Sequence, residues 1–178
     1  QEVTGVQTCA LPISKHFTVI TYDLRGHGKS PVTNLYFTLN DLIADLERLR
    51  EKTKIEKAHF IGHSLGGMIA PAYAKKFPEN TLSVGLLSTV AGRSIEDRDK
   101  VLKIIKSMEV EGIAKILPTL KTRWFTDHFI KNNPSLVERR IKQVIDTNPE
   151  VFLNVFKIYA ETEMITWLKN INKPCLVM

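Results

Sequence analysis

A serine at the centre of a glycine-rich turn constrains the fold more than any other part of this chain. The run GHSLGG at residues 62–67 follows a short apolar segment, 58–61, and precedes a segment rich in small residues, 68–74. The pattern G-x-S-x-G between a strand and a helix predicts a sharp turn that lifts the hydroxyl of Ser64 out of the end of a sheet. The sequence therefore predicts strand, turn and helix in direct succession, with a reactive serine at the apex.

The turn makes specific demands on the backbone. We expect Gly62 and Gly66 to let two backbone stretches approach where a Cβ would clash. We expect Ser64 to be held in a strained conformation. The N-terminus of the following helix favours developing negative charge. Ser64 is accordingly the predicted nucleophile.

Apolar patterns on both sides of the turn predict an α/β fold. Residues 17–22 and 82–87 are runs typical of strands. Residues 38–52 carry leucine and isoleucine at spacings of three and four, which indicates a helix, and Thr38 with Asp41 predicts a capping box. Strands that alternate with helices predict a mostly parallel sheet, flanked by helices that cover both of its faces.

The stretch from 93 to 170 shows only helical periodicity, so we predict a helical insertion that caps the serine, excludes water and shapes a pocket. The predicted domains are a core at 14–92, a cap at 93–170 and the start of the next core strand at 171–178. One cap helix is predicted to begin at Asn133 and Pro134. Its predicted inner face consists of Leu136, Val137, Ile141, Val144 and Ile145.

Composition excludes several classes of protein. The chain is 43% apolar and 25% charged, which is typical of a globular domain with a real core. Its net charge of +6 comes without a dense basic run interleaved with aromatic residues, which argues against nucleic acid as a partner. No apolar stretch is long enough to span a membrane. We expect a cytoplasmic protein.

No cofactor or metal is expected. The chain has neither a phosphate loop nor a dinucleotide fingerprint, and its histidines have no metal-ligand spacing. Cys9 lies in a segment of doubtful origin, which leaves Cys175 inside a predicted buried strand, where we expect a small core residue.

Several stretches together resemble α/β-hydrolases of the esterase and lactonase type. Residues 18–30 resemble the strand and loop that come before the nucleophile in this family, and residues 58–68 resemble its nucleophile turn. Residues 171–177 resemble the strand that precedes the acid of the family. The resemblance covers nearly everything from 14 to 178 and implies the α/β-hydrolase fold.

The cap segment resembles one group within that family. The run RWFT at 123–126, then Phe129, then an Asn-Pro pair at 133–134, is similar to the cap of 3-oxoadipate enol-lactonases. The resemblance implies hydrolysis of a small carboxylic ester or lactone through an acyl-enzyme. The rivals are a cofactor-free haloperoxidase or carbon–carbon bond hydrolase of the same fold, and a non-catalytic ligand-binding protein.

The resemblance also implies site residues. Ser64 would be the nucleophile, and the backbone N–H of Leu65 would be one donor of the oxyanion hole. We expect His63 to have a structural role or to lie in the pocket wall rather than to act as the base, since the base must reach Ser64 from another loop. Trp124 and Phe125 either line the pocket or pack within the cap.

Polar residues in the loops that follow the other two predicted strands are expected to have structural rather than catalytic roles. The resemblance implies that Asp23 and His27 brace the loop after the first strand, and Arg25 is expected to form an ion pair nearby. Ser88 and Thr89 follow the next strand, where some members of the family place their acid. Neither is a carboxylate, which favours a later position for the acid.

Both ends indicate a fragment. Residues 3–13 resemble the translation of a sequencing-library adapter, so segment 1–13 is predicted to be non-native and the natural sequence to begin near Ser14. We expect the second oxyanion donor to lie upstream of Ser14, and the acid and histidine of the triad to follow Met178. The chain alone is therefore expected to be inactive.

Overall fold

The structure is a computed structural model that describes residues 12–178. Residues 1–11 lie outside the described residues, and so does most of the predicted adapter segment 1–13. Short 3-10 helices occur at Ile13–Lys15 and Pro78–Asn80. The other elements, in chain order, are α1 Leu39–Lys52, β1 Ala58–His63, α2 Gly66–Lys76, β2 Thr81–Leu87, α3 Ile95–Glu111, α4 Ile113–Trp124, α5 Asp127–Asn132, α6 Pro134–Asp146, α7 Pro149–Glu161, α8 Ile165–Leu168 and β3 Cys175–Val177.

The sheet is parallel, as predicted. Its described strands lie in the order β1-β2-β3, and both neighbouring pairs run parallel. The last pair between β1 and β2 joins His63 to Leu87. Since the carboxyl ends of these strands lie side by side, the turns that follow them meet at one edge of the sheet.

The predicted strand at residues 17–22 is wrong for the described part of the chain. The structure assigns no strand there, and Phe17, Val19 and Ile20 are exposed. The segment lies near β1, where the Phe17 ring meets the His59 ring edge-on with centroids 6.0 Å apart. Its β-branched and aromatic residues give it strand propensity, but a strand also needs a neighbour with which to form ladder hydrogen bonds.

One face of the sheet packs against α1 and α2. Side chains alternate along β1, so Phe60 is buried on the helical side while Ile61, on the opposite side, remains 57% exposed. The expected cover of that second face is therefore incomplete among the described residues. Cys175 in β3 is exposed, which corrects the prediction that it is a core residue. The buried cluster on the helical side consists of Ile43, Phe60, Ala70, Ala72, Tyr73, Ala74, Val84 and Leu86.

Helix α1 begins at the predicted capping box. The Thr38 side chain accepts a hydrogen bond from the Asp41 backbone N–H, and the Asp41 carboxylate accepts one from the Thr38 N–H at 2.8 Å. Two backbone donors that a helix start leaves unpaired are thus satisfied. Leu42 and Ile43 are buried on the inner face, as the spacing predicts.

The region after residue 93 is helical, as predicted. Helix α6 begins at Pro134, and Val137 and Val144 are buried. Two of its five predicted inner residues are wrong, because Leu136 and Ile145 are 43% and 50% exposed. A straight helix presents a narrow stripe to its neighbours, and these two residues flank that stripe.

Helix α7 joins the helical region to the core. Val151 and Ile158 of α7 belong to the same buried cluster as Leu65 and Met68 from the start of α2. The Asn154 side-chain amide also donates a hydrogen bond to the Phe37 carbonyl oxygen at 2.7 Å. The helical region is thereby anchored directly beside the serine turn.

A charged network ties α1 to α2. The Glu47 carboxylate accepts hydrogen bonds from the Arg50 guanidinium at 2.7 and 2.8 Å, from the Tyr73 hydroxyl, and from the Asn80 amide at 3.2 Å. The Arg50 guanidinium, with further help from Tyr73 and Asn80, lowers the pKa of Glu47 to about 2. Burial, together with the hydrogen bond to Glu47, raises the pKa of Tyr73 to about 12.

We predict that Glu47→Gln destabilises the protein at neutral pH. A depressed carboxyl pKa stabilises the fold above the unfolded-state pKa of roughly 4.3, and this contribution is lost as pH falls toward 2. We expect the free energy of unfolding at pH 7 to fall by on the order of 2–3 kcal/mol, which urea unfolding would measure. The wild-type advantage should shrink between about pH 5 and 2.

The matched control is Glu51→Gln, an exposed position on the same helix. We expect it to change the free energy of unfolding by no more than about 0.5 kcal/mol. A Glu47→Gln protein as stable as this control at pH 7 would contradict the role of the network.

Candidate active site

Ser64 occupies the predicted turn in the predicted strained state. Its φ is +53°, in the left-handed region that residues other than glycine rarely adopt. Its backbone N–H donates a hydrogen bond to the Leu87 carbonyl oxygen at 3.0 Å, directly beyond the His63–Leu87 pair. Such strain persists only where the surroundings enforce it, and it is characteristic of functional sites.

Two glycines make the turn sterically possible. A Cβ on Gly62 would lie 1.9 Å from the Gly66 carbonyl oxygen, so the prediction for Gly62 is confirmed. The prediction for Gly66 is wrong, because a Cβ there would meet nothing within 4 Å. Gly67, which sequence reasoning missed, is the second crowded position: its Cβ would lie 2.6 Å from the Cβ of Thr89.

The start of α2 offers free backbone donors beside Ser64. Within the described residues, the N–H groups of Leu65 and Gly66 donate to no acceptor, whereas the next N–H, from Gly67, bonds to the Ser64 carbonyl oxygen at 2.9 Å. Leu65 is only 7% exposed. Unpaired N–H groups at a helix N-terminus are suited to an oxyanion.

The Ser64 hydroxyl forms no hydrogen bond with any of residues 12–178, so no histidine or carboxylate in that range is hydrogen-bonded to it. The neighbouring His63 ends β1 with an exposed side chain. The roles of Ser64 as nucleophile, of the Leu65 N–H as an oxyanion donor and of His63 in a pocket wall therefore all stay predictions.

The two aromatic candidates lie in the helical region. Trp124, at the end of α4, packs against a buried cluster that includes Leu117 and Phe152. Phe125 stacks on Phe129 with ring centroids 5.5 Å apart and planes 10° apart. Packing within the region is thus established for both side chains, and a role in lining the pocket stays a prediction.

The loop after residue 22 is braced as expected. The Asp23 carboxylate accepts a hydrogen bond from the Lys29 N–H at 3.1 Å, and His27 Nδ1 lies 3.1 Å from the Arg25 carbonyl oxygen. Arg25 forms a two-point ion pair with Asp45 of α1, with N–O distances of 2.6 and 2.7 Å. These side chains serve the loop and its contact with α1, and none of them bonds to the serine.

The described residues contain no group of three or more His, Cys, Asp or Glu side chains placed to hold a metal ion. None of the helices in that part of the chain combines the length and the apolar character needed to cross a membrane.

Comparison with known proteins identifies close similarities. The family model for the alpha/beta hydrolase fold matches residues 6–139. Two 3-oxoadipate enol-lactonases of Acinetobacter baylyi are 29% and 30% identical to this chain, over 93% and 92% of its length and 61% and 60% of theirs. The crystal structure of the enol-lactonase from Burkholderia xenovorans superposes with a TM-score of 0.85 at 26% identity, covering 94% of this chain and 64% of that one.

The chain spans about three-fifths of the length of the curated relatives it matches. The family match begins inside segment 1–13, whose adapter origin stays a prediction.

We predict that Gly62→Ala and Gly66→Ala have opposite consequences for stability. The Gly62 Cβ would overlap a backbone oxygen that cannot move without opening the turn, so we expect a loss of about 3 kcal/mol or more, or failure to fold. The Gly66 Cβ points into open space on a helix, where alanine is favoured, so the change should stay within about 1 kcal/mol. Urea unfolding measures both variants, and equal stabilities would contradict the geometry of the turn.

Proposed function

The chain belongs to the alpha/beta hydrolase fold family, and we propose that the protein hydrolyses a carboxylic ester or lactone through an acyl-enzyme on Ser64. Because the chain spans about three-fifths of its curated relatives, the proposal concerns the activity of the whole protein. The observation that carries it is the left-handed Ser64 beside the unpaired Leu65 N–H at the start of α2.

The proposed chemistry has two halves. Ser64 Oγ attacks the carbonyl carbon and loses its proton to a base, and the carbonyl oxygen becomes an oxyanion that accepts a hydrogen bond from the Leu65 N–H. The oxyanion then collapses, the bond to the leaving oxygen breaks, and that oxygen takes the proton. Water attacks the resulting acyl-enzyme in the same way, which releases the acid and restores the Ser64 hydroxyl.

The base and its acid complete the proposal. In this fold the order along the chain is serine, acid, histidine, so both follow the nucleophile turn and reach it from later loops. No described residue is hydrogen-bonded to the Ser64 hydroxyl, so that hydroxyl has no partner with which an incoming base would compete. Leu65 N–H supplies one donor, and a second donor from a loop before Ser14 would complete the oxyanion hole.

The proposed substrate class is supported by the relatives. The two Acinetobacter proteins and the Burkholderia structure are enol-lactonases, and their similarity extends through the helical region as well as the core. We propose that residues 93–170 act as a cap, since α7 packs against Leu65 beside the proposed nucleophile. A cap that excludes water protects the oxyanion interaction, which is strongest at low dielectric. Trp124 and Phe125 would lie on its substrate side.

We predict that Ser64→Ala abolishes ester turnover in protein expressed from the complete reading frame. Without the nucleophile no acyl-enzyme forms, so kcat should fall by about 10⁴- to 10⁶-fold. Hydrolysis of short p-nitrophenyl esters and of lactones measures this loss. The control is Ser135→Ala, an exposed serine in the first turn of α6, which should keep wild-type kinetics. Turnover retained by Ser64→Ala would refute the proposal.

We also predict that the 178-residue chain alone turns over esters no faster than its own Ser64→Ala variant. Ser64 has the left-handed φ of a strained turn, but no described side chain accepts a hydrogen bond from its hydroxyl. The same ester assay, run on purified chain and variant at equal concentration, provides the test. Hydrolysis by the chain that depends on Ser64 would show that the base lies within it.

A further inference from the structure

The Thr89 side chain forms a hydrogen bond to the backbone of the serine turn. Its hydroxyl, Oγ1, donates a hydrogen bond to the Ser64 carbonyl oxygen at 2.8 Å. The same oxygen accepts a second hydrogen bond, from the Gly67 N–H at 2.9 Å. Thr89 comes from the turn after β2, so this contact joins two neighbouring strand ends across 25 residues of sequence.

The Ser64 carbonyl, to which Thr89 bonds, belongs to the same peptide unit as the Leu65 N–H, the proposed oxyanion donor. The Ser64 carbonyl and the Leu65 N–H are the two ends of one planar, trans peptide unit, so they point in opposite directions. A side chain that fixes the oxygen therefore also fixes the direction of the hydrogen. We propose that Thr89 is a positioning residue whose hydroxyl aims the Leu65 N–H at the oxyanion, an inference that rests on the proposed function.

The backbone at Ser88 supports this role. Ser88 has a φ of +44°, so the residue before Thr89 is held in the left-handed region just as Ser64 is. The two serines directly follow the His63–Leu87 pair, which places the two strained residues side by side at the sheet edge. Strain of this kind persists only where the surroundings enforce it. The turn that directs Thr89 toward Ser64 is therefore held in its conformation by the rest of the structure.

Packing at Gly67 gives a second, independent support. A Cβ on Gly67 would lie 2.6 Å from the Cβ, 2.9 Å from the Cγ2 and 3.0 Å from the Oγ1 of Thr89. The helix thus keeps a glycine in its first turn, despite the lower helix propensity of glycine, where the threonine side chain must fit. This contact accounts for the second glycine of the GlyGly pair, which the G-x-S-x-G pattern does not require.

A hydroxyl in this place does more than hold geometry. Hydrogen bonds accepted at the carbonyl oxygen polarise the peptide and strengthen the N–H at its other end as a donor. Preorganised donors accelerate acyl transfer because they need no reorientation when the oxyanion forms. Removal of a whole oxyanion donor costs about 10²- to 10³-fold in kcat, so a donor that is present but less well aimed should cost about 10- to 100-fold.

The test compares Thr89→Val, Thr89→Ser and Thr89→Ala in protein from the complete reading frame. Valine keeps the shape and removes the hydroxyl, serine keeps the hydroxyl, and alanine differs from serine by the hydroxyl alone. We measure kcat per titrated active site, KM, and the inhibition constant of a boronic acid that forms a tetrahedral adduct with serine. Should valine fail to fold, the alanine–serine pair isolates the same hydroxyl.

The inference predicts that valine and alanine lower kcat about 10- to 100-fold with little change in KM, and weaken the boronate similarly. Serine should restore both values to near wild type. Wild-type kcat in the valine or alanine variant would overturn the inference, and so would equal losses in serine and alanine, which would assign the effect to packing. Ser64→Ala in the same series distinguishes a failure of the proposed function from a failure of the Thr89 inference. Activity retained by Ser64→Ala refutes the proposed function, whatever the Thr89 variants do.

Discussion

The site depends on the close approach of two backbone stretches at the serine turn. Gly62, near the end of β1, has no side chain, and the Gly66 carbonyl oxygen occupies the space that a Cβ of residue 62 would need. This approach reverses the chain within a few residues and forces Ser64 to a φ of +53°. Two hydrogen bonds hold Ser64 in this conformation. The Leu87 carbonyl oxygen at the end of β2 accepts one from the Ser64 N–H, and the Thr89 hydroxyl in the following turn donates one to the Ser64 carbonyl oxygen.

The same turn couples the core to the helical region. The Leu65 N–H is unpaired among the described residues, and the Leu65 side chain packs in the cluster that contains Val151 and Ile158 of α7. The residue proposed to stabilise the oxyanion is therefore also a contact between the serine turn and the helical region. Below it, the Glu47–Arg50–Tyr73 network fixes α1 against α2, the helix whose N-terminus carries the donors. These contacts hold the start of α2 in place, where the Leu65 N–H is proposed to act as a preorganised oxyanion donor.

Local signals in the sequence predicted local structure well. The turn, the strained Ser64, the Thr38–Asp41 capping box and the helical region each follow from spacing over a few residues, and the structure bears these out. Contacts between distant segments were harder to predict. Residues 17–22 have strand propensity without a described pairing partner, and Leu136 and Ile145 fit a helical period yet lie beside the packed stripe. The hydrogen bond from Thr89 to Ser64 joins two strand ends that are distant in sequence. Its only sequence signal is Gly67, a glycine that the G-x-S-x-G pattern does not require.

The central claim is that Ser64 carries the acyl group during turnover. The direct measurement is acid quenching of protein from the complete reading frame, milliseconds after mixing with a p-nitrophenyl ester, followed by peptide mapping with mass spectrometry. The account predicts the acyl mass on the peptide that contains Ser64, in proportion to the burst of nitrophenol. Active turnover with that peptide unmodified, or with the acyl group on another side chain, would contradict the account.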